Sequence, residues 1–419
     1  MVETDISNIW GRADFRSLLE LEEPVHAAHQ ALTEHAPGWL HLPSRTSMKD
    51  LDEIGKAAMK ICRSAKALVI VGSGGCALGA RAAITFMNGC LQSETASLKV
   101  YYAGDHLSSR AMIELMNRLD MMDFSVIAVS PLGTDIEMST AFRMLRYLLS
   151  RKYGADAPKH VYVCTNPTHG PLRHLADEEG CSSFPLPADI EDRCSVFTAC
   201  GLLPMAAAGI DIRALMAGAR SAERELAEMS MDNPAWTYAA ARCLMEKMGM
   251  KIERMVSGEP WLSDLLLWWQ QLCAENEGRD GGGILPLCGS LPGDINTMGQ
   301  LLTEGGHPHF ETLLSFDADP RALRLETDWK NLDEIGALSG KTFSELLSSA
   351  TEGLINALVD EGIPVILLSC GQMNAASLGY LFYFLELSSA LSAGAMGFKS
   401  VGRPGADRLR QEMDRAMGL

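Results

Sequence analysis

The residues with the clearest capacity for chemistry lie between positions 268 and 311. Trp268, Leu272 and Glu275 recur at helical spacing, which predicts an amphipathic helix with the carboxylate beside its apolar face. The glycine-rich stretch 278–283 ends this helix and lets backbone approach whatever Glu275 faces. A carboxylate in such a place can act as a general base, although most glutamates at the border of an apolar face are simply solvated.

Two motifs in this segment resemble those of a known enzyme family. Residues 275–279, Glu-Asn-Glu-Gly-Arg, are similar to Glu-Ser-X-Gly-Lys in glucose-6-phosphate isomerases of the compact bacterial form. Residues 294–300, Asp-Ile-Asn-Thr-Met-Gly-Gln, are similar to that family's Asp-Leu-His-Ser-Met-Gly-Gln, and the resemblance extends from about Trp39 to Met413. It implies conversion of glucose 6-phosphate to fructose 6-phosphate through a cis-enediolate, with Glu275 as base and Gln271, one helical turn earlier, as a substrate contact.

The position of the family's ring-opening histidine is occupied by Asn296. Histidine can pass a proton near neutral pH, whereas asparagine can only form hydrogen bonds. His307 and His309 lie close by in sequence and could replace the lost group, or they could be ordinary surface histidines. The resemblance therefore implies that Asn296 lies in the catalytic site and that ring opening is impaired.

A glycine-rich turn at residues 72–81, Gly-Ser-Gly-Gly-Cys-Ala-Leu-Gly-Ala-Arg, follows a predicted strand and opens a predicted helix. Backbone N–H groups of such a turn can bind an anion or a sugar oxygen, but glycines also serve tight packing, and the spacing does not match a dinucleotide site. The turn resembles the family's Gly-Ile-Gly-Gly-Ser-Tyr-Leu-Gly-Ala-Arg. This implies substrate contacts from Gly75 and from Cys76, which stands where the family has serine.

A second strand–turn–helix at residues 130–135, Ser-Pro-Leu-Gly-Thr-Asp, resembles the family's phosphate loop, Ser-Lys-Ser-Gly-Thr-Thr. Ser130, Gly133 and Thr134 are retained as implied substrate contacts, but the lysine and two hydroxyls are lost and Asp135 adds a carboxylate. Asp135 could equally serve as a helix N-cap. Both interpretations predict that phosphate binds poorly at this loop.

The remaining motifs supply arginines. Residues 190–195, Ile-Glu-Asp-Arg-Cys-Ser, resemble Val-Gly-Gly-Arg-Phe-Ser, which implies that Arg193 steadies the enediolate, unless it forms only a structural ion pair. The acids at 191 and 192 would crowd the pocket or pair with Arg193. Residues 402–410 resemble a further motif of the family. In this chain Arg403 stands where the family has glutamine, and Arg410 stands where it has a catalytic lysine. These two arginines could hold an acid group of the substrate, or they could be solvated helix charges.

Length and composition indicate an ordinary globular protein of two or three domains. The chain has 419 residues, and its net charge of −17 argues against nucleic acid or an anionic membrane as a partner. Eleven cysteines without a C-x-x-C spacing predict reduced thiols in a cytoplasm and no metal site, and the N-terminus shows no signal peptide. We expect a sugar or sugar phosphate as ligand and no cofactor.

The apolar stretch from Ser377 to Phe398 is nearly long enough to span a bilayer. Because Glu386 lies at its middle and serines and glycines dilute it, a buried helix is the better interpretation. So apolar a helix is hard to cover within one small domain, and the family is generally dimeric with its site completed near the subunit interface. We therefore expect a homodimer.

Alternating apolar runs and helical patterns predict an α/β fold of two doubly wound parallel-sheet units, each a three-layer α/β/α arrangement. The resemblance implies that these are the paired sugar-isomerase (SIS) domains of the family. We expect an N-terminal domain at 1–195 with a helical N-terminal extension, a C-terminal domain at 196–400, and a helix at 401–419 that returns to the site. The site should lie in the crevice between the units, at the C-terminal ends of their strands. The strands are expected at 67–72, 99–103, 125–130, 160–165, 251–256, 310–316 and 364–369.

The altered motifs leave three functions open. The first is an isomerase of a sugar phosphate, with reduced or redirected activity. The second is a catalytically impaired or repurposed sugar-binding protein on the same fold. The third is an isomerase whose substrate carries no phosphate.

Overall fold

The computed structural model describes residues 1–11, 13–90, 98–279, 281–398 and 402–419. Within these ranges the strands are β1 (Val2–Asn8), β2 (Ala67–Val71), β3 (Lys99–Ala103), β4 (Phe124–Val129), β5 (Val161–Thr165), β6 (Ser182–Pro185), β7 (Ile252–Ser257), β8 (Leu285–Ser290), β9 (His309–Phe316) and β10 (Val365–Cys370).

The helices of the same ranges are α1 (Phe15–Leu19), α2 (Glu22–His35), α3 (Leu42–Arg45), α4 (Met48–Ser64), α5 (Gly75–Asn88), α6 (Ser109–Asp120), α7 (Ile136–Tyr153), α8 (Pro171–Glu179), α9 (Ala199–Ala207), α10 (Ile212–Glu225), α11 (Pro234–Lys247), α12 (Ser263–Glu277), α13 (Asp294–Thr297), α14 (Gly299–Glu304), α15 (Phe343–Asp360), α16 (Ala375–Ala395) and α17 (Pro404–Ala416). Short 3-10 turns lie at Gly154–His160, Asp192–Cys194, Pro260–Leu262 and Gly336–Leu338.

The two five-stranded sheets share the arrangement of four of their strands. The first has the order β3-β2-β4-β5-β6, and all its strands are parallel. The second has the order β8-β7-β9-β10-β1, and its first four strands in this order are also parallel. In the first sheet β2 lies between β3 and β4, and in the second sheet β7 lies between β8 and β9 in the same way. The predicted α/β class with doubly wound parallel sheets is confirmed, and each predicted strand overlaps an observed one.

The N-terminal extension, expected to be helical, contains a strand before its helices α1 to α4. Residues Val2–Asn8 form β1, which pairs antiparallel with β10 at the edge of the second sheet. The strand alternates buried and more exposed side chains, and Val2 is 2% exposed. This alternation suits an edge strand that covers the unpaired backbone of β10. The N-terminal residues therefore belong to the sheet of the C-terminal unit, and the division of the chain into domains stays a proposal.

The predicted buried helix is confirmed as α16, whose residues Leu381, Phe382 and Phe384 are fully buried. It packs most extensively against α10, and it also contacts α2, α11 and α12. Glycines make the α10 contact possible, because a Cβ at Gly379 would lie 1.9 Å from the carbonyl oxygen of Leu215. Among the described residues, no helix is both long and apolar enough to cross a membrane.

The two units differ in how their outer sheet faces are covered. In the first unit, α7 buries six side chains against the sheet, Met138, Ala141, Phe142, Leu145, Leu148 and Leu149. The corresponding helix of the second unit, α15, is equally long, and none of its residues is buried. Helix α15 is therefore less buried against its sheet than α7 is.

Candidate functional site

Glu275 lies in the last turn of α12, where its side chain is 17% exposed. The Nε2 of Gln271, one turn earlier, donates a hydrogen bond of 2.7 Å to its Oε1. Arg193 Nη1 lies 3.6 Å from Oε2, and Arg403 Nη1 lies 3.5 Å from Oε1. The structure thus brings four of the predicted site residues into one cluster, with the carboxylate at its centre.

The end of α12 is fixed by a buried polar network. Arg242 of α11 forms ion pairs with Glu253 of β7, at 2.6 Å, and with Glu277, two residues beyond Glu275. The Tyr238 hydroxyl donates to Glu253 at 2.6 Å, and the Ser392 hydroxyl donates to Glu277 at 3.0 Å. Because breaking a buried ion pair leaves an uncompensated charge, this network resists any displacement of the helix end.

Arg193 lies in the 3-10 turn Asp192–Cys194 and is 3% exposed. Its Nε donates to Asn276 Oδ1 at 2.8 Å, and its Nη2 forms an ion pair with Glu191. Asn276 in turn donates from Nδ2 to Ser389 Oγ of α16, also at 2.8 Å. Of the two expectations for Glu191, pairing with Arg193 is therefore the one observed.

Asn276 is a site residue that sequence reasoning missed. It is 3% exposed and connects Arg193 to α16, so it fixes the direction of the guanidinium. The available signal was its position beside Glu275, inside a motif already aligned with the family. Its partner Ser389 gave no signal, because the contact spans more than a hundred positions of the chain.

Gly75 and Cys76 begin α5 against the Arg193 turn. A Cβ at Gly75 would lie 2.4 Å from the carbonyl oxygen of Asp192, so only glycine permits this approach. Cys76 is 3% exposed, and its thiol faces Cys200 and Ser195. The hydrogen bond with Cys200, together with burial, raises the pKa of the Cys76 thiol well above its ordinary value, which keeps the thiol protonated.

The loop at 130–135 satisfies its own hydrogen bonds. The Ser130 hydroxyl donates to Asp135 Oδ2 at 3.0 Å and accepts from the Gly133 N–H at 2.9 Å. Gly133 has φ +78°, and a Cβ there would lie 2.5 Å from Leu172, so the turn requires glycine. Thr134 is exposed. The Asp135 carboxylate therefore accepts the hydrogen bond that the Ser130 hydroxyl would otherwise donate to a bound anion.

The start of the C-terminal segment lies against the end of α12. Arg279 donates to the carbonyl oxygen of Gly402, which holds the start of the segment beside the end of α12. Arg403 then reaches Glu275 and also lies 3.9 Å from Asp192. Arg410 does not join this cluster, because its Nη1 donates to Glu137 Oε2 at 2.6 Å in the first turn of α7.

The acids around the arginines are partly desolvated. Burial raises the pKa of Asp192, although the positive charge of Arg403 opposes this shift. Burial likewise raises the pKa of Glu191, opposed by Arg193. Asp192 also feels the negative charges of Glu275 and Asp135, so the acids of the base cluster and of the 130–135 loop share one electrostatic environment.

The position of the cluster only half matches the crevice that the sequence predicted. The cluster lies beside the C-terminal edge of the first sheet. The turn after β2 reaches it there, because a Cβ at Gly74 would lie 3.3 Å from Gln271 Nε2. Helix α12, however, starts beyond the C-terminal end of β7 and runs back before β8 begins. Glu275 therefore lies at the N-terminal edge of the second sheet, so the prediction of C-terminal strand ends was right for the first sheet and wrong for the second.

Asn296 and the two histidines are not brought together with Glu275 within one chain. Asn296 is exposed in α13, which follows the C-terminal end of β8 and so lies at the opposite edge of the second sheet. His309 accompanies Glu311 on the outer sheet face, whereas Glu253 points to the face that α11 covers. Burial lowers the pKa of His309, and His307 is exposed.

In the part of the chain that the structure describes, no group of histidine, cysteine, aspartate or glutamate side chains is arranged to hold a metal ion. All eleven cysteines are free. The groups that the structure gathers around Glu275 are the two arginines, their acidic partners Glu191 and Asp192, and the amides of Gln271 and Asn276.

Comparison with known proteins identifies the family. No family model matches the chain. The glucose-6-phosphate isomerase of Staphylococcus epidermidis is 36% identical over 383 residues, which cover 91% of this chain and 86% of the relative. That of Heliobacterium modesticaldum is 37% identical over 411 residues, which cover 95% of this chain and 92% of the relative.

Solved structures show the same fold. A hypothetical protein from Thermus thermophilus superimposes with a TM-score of 0.91 at 24% identity, with all of both chains covered. A glucose-6-phosphate isomerase from Chlamydia trachomatis superimposes with a TM-score of 0.86 at 15% identity, covering 100% of this chain and 88% of that one. The two doubly wound units are thus the paired SIS arrangement that the sequence resemblance implied. Because identity of 36–37% extends over more than nine-tenths of its length, the chain belongs to the glucose-6-phosphate isomerase family.

Proposed function

We propose that this chain is an aldose–ketose isomerase of the glucose 6-phosphate to fructose 6-phosphate type, with weakened recognition of the phosphate. The observation that carries the proposal is the Glu275 carboxylate, held by Gln271 at 2.7 Å between Arg193 and Arg403. Curated relatives named glucose-6-phosphate isomerase support the reaction type.

In this proposal Glu275 takes the proton from C2 of the open-chain aldose and returns it to C1. A cis-enediolate forms between the two transfers, with negative charge on the oxygens of C1 and C2. The guanidiniums of Arg193 and Arg403 lie within 4 Å of the Glu275 carboxylate, and preorganised donors at developing charge are often the largest contribution to catalysis. Asn276 acts as a positioning residue, because it fixes the direction of Arg193.

Phosphate recognition is the weak step. Compared with the family motif, the 130–135 loop lacks three donors, each contributing about 1.5–3 kcal/mol toward a charged group. Asp135 also adds a carboxylate beside the expected position of the phosphate, and it already accepts the Ser130 hydrogen. We therefore expect that fructose 6-phosphate binds weakly to the unmodified chain.

A second candidate function follows from the same hydrogen bond. Because Asp135 accepts the hydrogen bond of the Ser130 hydroxyl, the loop suits a substrate that ends in a neutral hydroxyl. The base cluster could then isomerise a sugar without phosphate. A sugar-binding protein without catalysis is the third possibility, and the experiment on Glu275 separates it from the first two.

We also propose that the protein is a cytoplasmic homodimer. The sequence argument from α16 was wrong, because α10, α2 and α11 cover that helix within the chain. Support comes instead from the exposed segment that precedes α15, where Trp329 is 84% and Leu332 is 81% exposed. The exposed Asn296, far from Glu275 of its own chain, also fits a site completed by a second copy. Free thiols support the cytoplasm.

Glu275→Gln tests the proposed function. The substitution preserves the side-chain size and the contact with Gln271 but removes the base, so isomerase turnover should fall by at least about 10²–10⁴-fold. Proton exchange at C2, followed by NMR in deuterated water with a panel of phosphorylated and unphosphorylated sugars, measures the activity. Glu53→Gln, an exposed change on α4, is the matched control. Exchange that persists in Glu275→Gln would refute the mechanism, and a wild-type chain without exchange on any sugar would favour the sugar-binding function.

A further inference from the structure

A cavity of about 580 Å³ lies between α15 and the second sheet, away from Glu275. It is lined by the segment that follows β7, Ser257 to Glu259, and by residues 313–319 at the end of β9. β7 and β9 are neighbours at the point where the strand order of the second sheet reverses. Open α/β sheets bind ligands at this point, outside the C-terminal ends of the strands.

The first sheet uses its equivalent point for the candidate active site. There the corresponding strands are β2 and β4, followed by the glycine-rich turn at 72–75 and by the 130–135 loop. The chain therefore contains two topologically equivalent ligand positions, of which the proposed isomerase uses one. The volume of the second falls within the range of small-molecule pockets.

The polar lining of the cavity consists largely of hydroxyl and amide groups, supplied by Asn8, Ser257, Ser315, Ser344, Ser348 and Thr351. Ser257 is 5% exposed, and its Oγ accepts from the N–H of Glu259 at 3.2 Å. Among the described residues no acceptor is found for its own O–H, so this buried hydroxyl can donate to a ligand. Leu347 and Ile355 on α15 supply an apolar wall. Hydroxyl groups beside an apolar wall suit a sugar ring.

Charge decides the class of sugar. The cavity lining includes Glu259, Asp317, Asp319 and Glu352, and none of its described members is lysine, arginine or histidine. Only Asp319 of these acids has a basic partner within the described residues, namely Arg321. The N-terminus of α15 is already capped by Thr342 and Glu345, so it offers little to an anion. Anionic sugars, including sugar phosphates, are therefore disfavoured.

We propose that this cavity is a second ligand site, which binds a non-anionic monosaccharide and prefers an amino sugar because its carboxylates attract an ammonium group. The proposal does not depend on the isomerase activity, since the cavity and the Glu275 cluster share no residue. With contacts from hydroxyls and one apolar wall, we expect millimolar affinity for a single sugar.

Saturation-transfer NMR with D-glucosamine, D-glucose and glucose 6-phosphate tests the proposal. Thr351 faces the cavity from the middle of α15, so Thr351→Phe should fill it and abolish glucosamine binding. Ser349→Phe places the same ring on an exposed position of that helix outside the lining and should bind glucosamine like the wild type. Glu275→Gln should also leave this binding unchanged, which separates the second site from the catalytic one.

Asp317→Asn keeps the proposal testable if Thr351→Phe does not fold. Removing one carboxylate of the lining should reduce the preference for glucosamine over glucose without abolishing glucose binding. No binding of either neutral or amino sugar to the wild type would overturn the proposal. So would glucosamine binding that persists in a folded Thr351→Phe, that disappears in Glu275→Gln, or that does not respond to Asp317→Asn.

Discussion

The base cluster and the 130–135 loop are parts of the same crevice, but their side chains relate to an anionic ligand in opposite ways. In the base cluster, Arg193 and Arg403 lie 3.6 and 3.5 Å from Glu275, and neither is closed off from a ligand by a carboxylate of the 130–135 loop. In the loop, the Ser130 hydroxyl and the Gly133 N–H are bonded within the loop itself, to Asp135 and to Ser130. In the proposed mechanism the first region stabilises a charge that forms during the reaction, whereas the loop already holds a carboxylate of its own, Asp135.

Under the proposed function, this difference means that catalysis and substrate recognition can change separately within one fold. The base cluster rests on a buried network behind α12, in which Arg242, Glu253 and Glu277 are almost fully buried, so substitutions there carry a large cost in stability. The loop lies nearer the surface, and Leu132 in it is 36% exposed. Its substitutions can accumulate without loss of the fold.

After Glu275→Gln, the largest effect is expected from Arg193→Lys. Lysine retains the charge but cannot hold Asn276 and Glu191 while facing Glu275, so turnover should fall by about 10²–10³-fold with a smaller change in KM. Arg220→Lys serves as control, because Arg220 lies on α10 and donates to the carbonyl oxygens of Pro43 and Thr46. A folded Arg193→Lys variant with wild-type kcat would remove Arg193 from the mechanism.

A smaller effect, an increase in turnover, is expected from Asn296→His. Restoring a proton-transfer group should raise turnover on cyclic glucose 6-phosphate by about tenfold or more, while turnover on an open-chain analogue stays the same. Coupled kinetic assays on both substrates measure the difference. A wild-type rate typical of the family on the cyclic form would mean that another residue opens the ring.

The proposed homodimer bears on the same result, because Asn296 lies at the opposite edge of the second sheet from Glu275 of its own chain. Light scattering at micromolar protein concentration should give twice the chain mass. A monomer at that concentration would contradict the dimer and would make Asn296→His ineffective.

The smallest effect concerns stability behind the base cluster. Glu386 of α16 is 1% exposed, and within the described residues its carboxyl oxygens have no hydrogen-bond partner. Burial raises its pKa well above the ordinary 4.5, although Arg193 opposes this shift. Above pH 4.5 the unfolded chain releases this proton and the folded chain retains it, so the free energy of unfolding falls as pH rises, by up to about 1.4 kcal/mol per pH unit.

Glu386→Gln removes this titration. The variant should therefore gain stability relative to the wild type as pH rises from 4.5 toward neutrality. Urea unfolding of both proteins at several pH values in this range measures the difference. A difference between the two proteins that stays constant with pH would show that Glu386 does not hold its proton in the folded chain.

Sequence alone predicted the parts that local pattern determines. Apolar runs located β2, β7 and most other strands, and the motif around Glu275 led to the base cluster. Sequence alone could not predict β1. This short segment becomes a strand by pairing with β10, which lies near the other end of the chain. The sequence also could not separate Arg403 from Arg410, since their partners Glu275 and Glu137 are set by how α17 docks.

Calorimetric titration of fructose 6-phosphate tests the contrast between the two regions most directly. The triple change Pro131→Lys, Leu132→Ser, Asp135→Thr restores the family's donors and removes the carboxylate, while the base cluster is unchanged. At fixed ionic strength, the wild type should bind weakly and the triple variant at least about tenfold more tightly, since each restored donor to a charged group contributes about 1.5–3 kcal/mol before losses from imperfect geometry. Micromolar binding by the wild type, equal to that of the triple variant, would contradict the account and show that the loop holds phosphate as it stands.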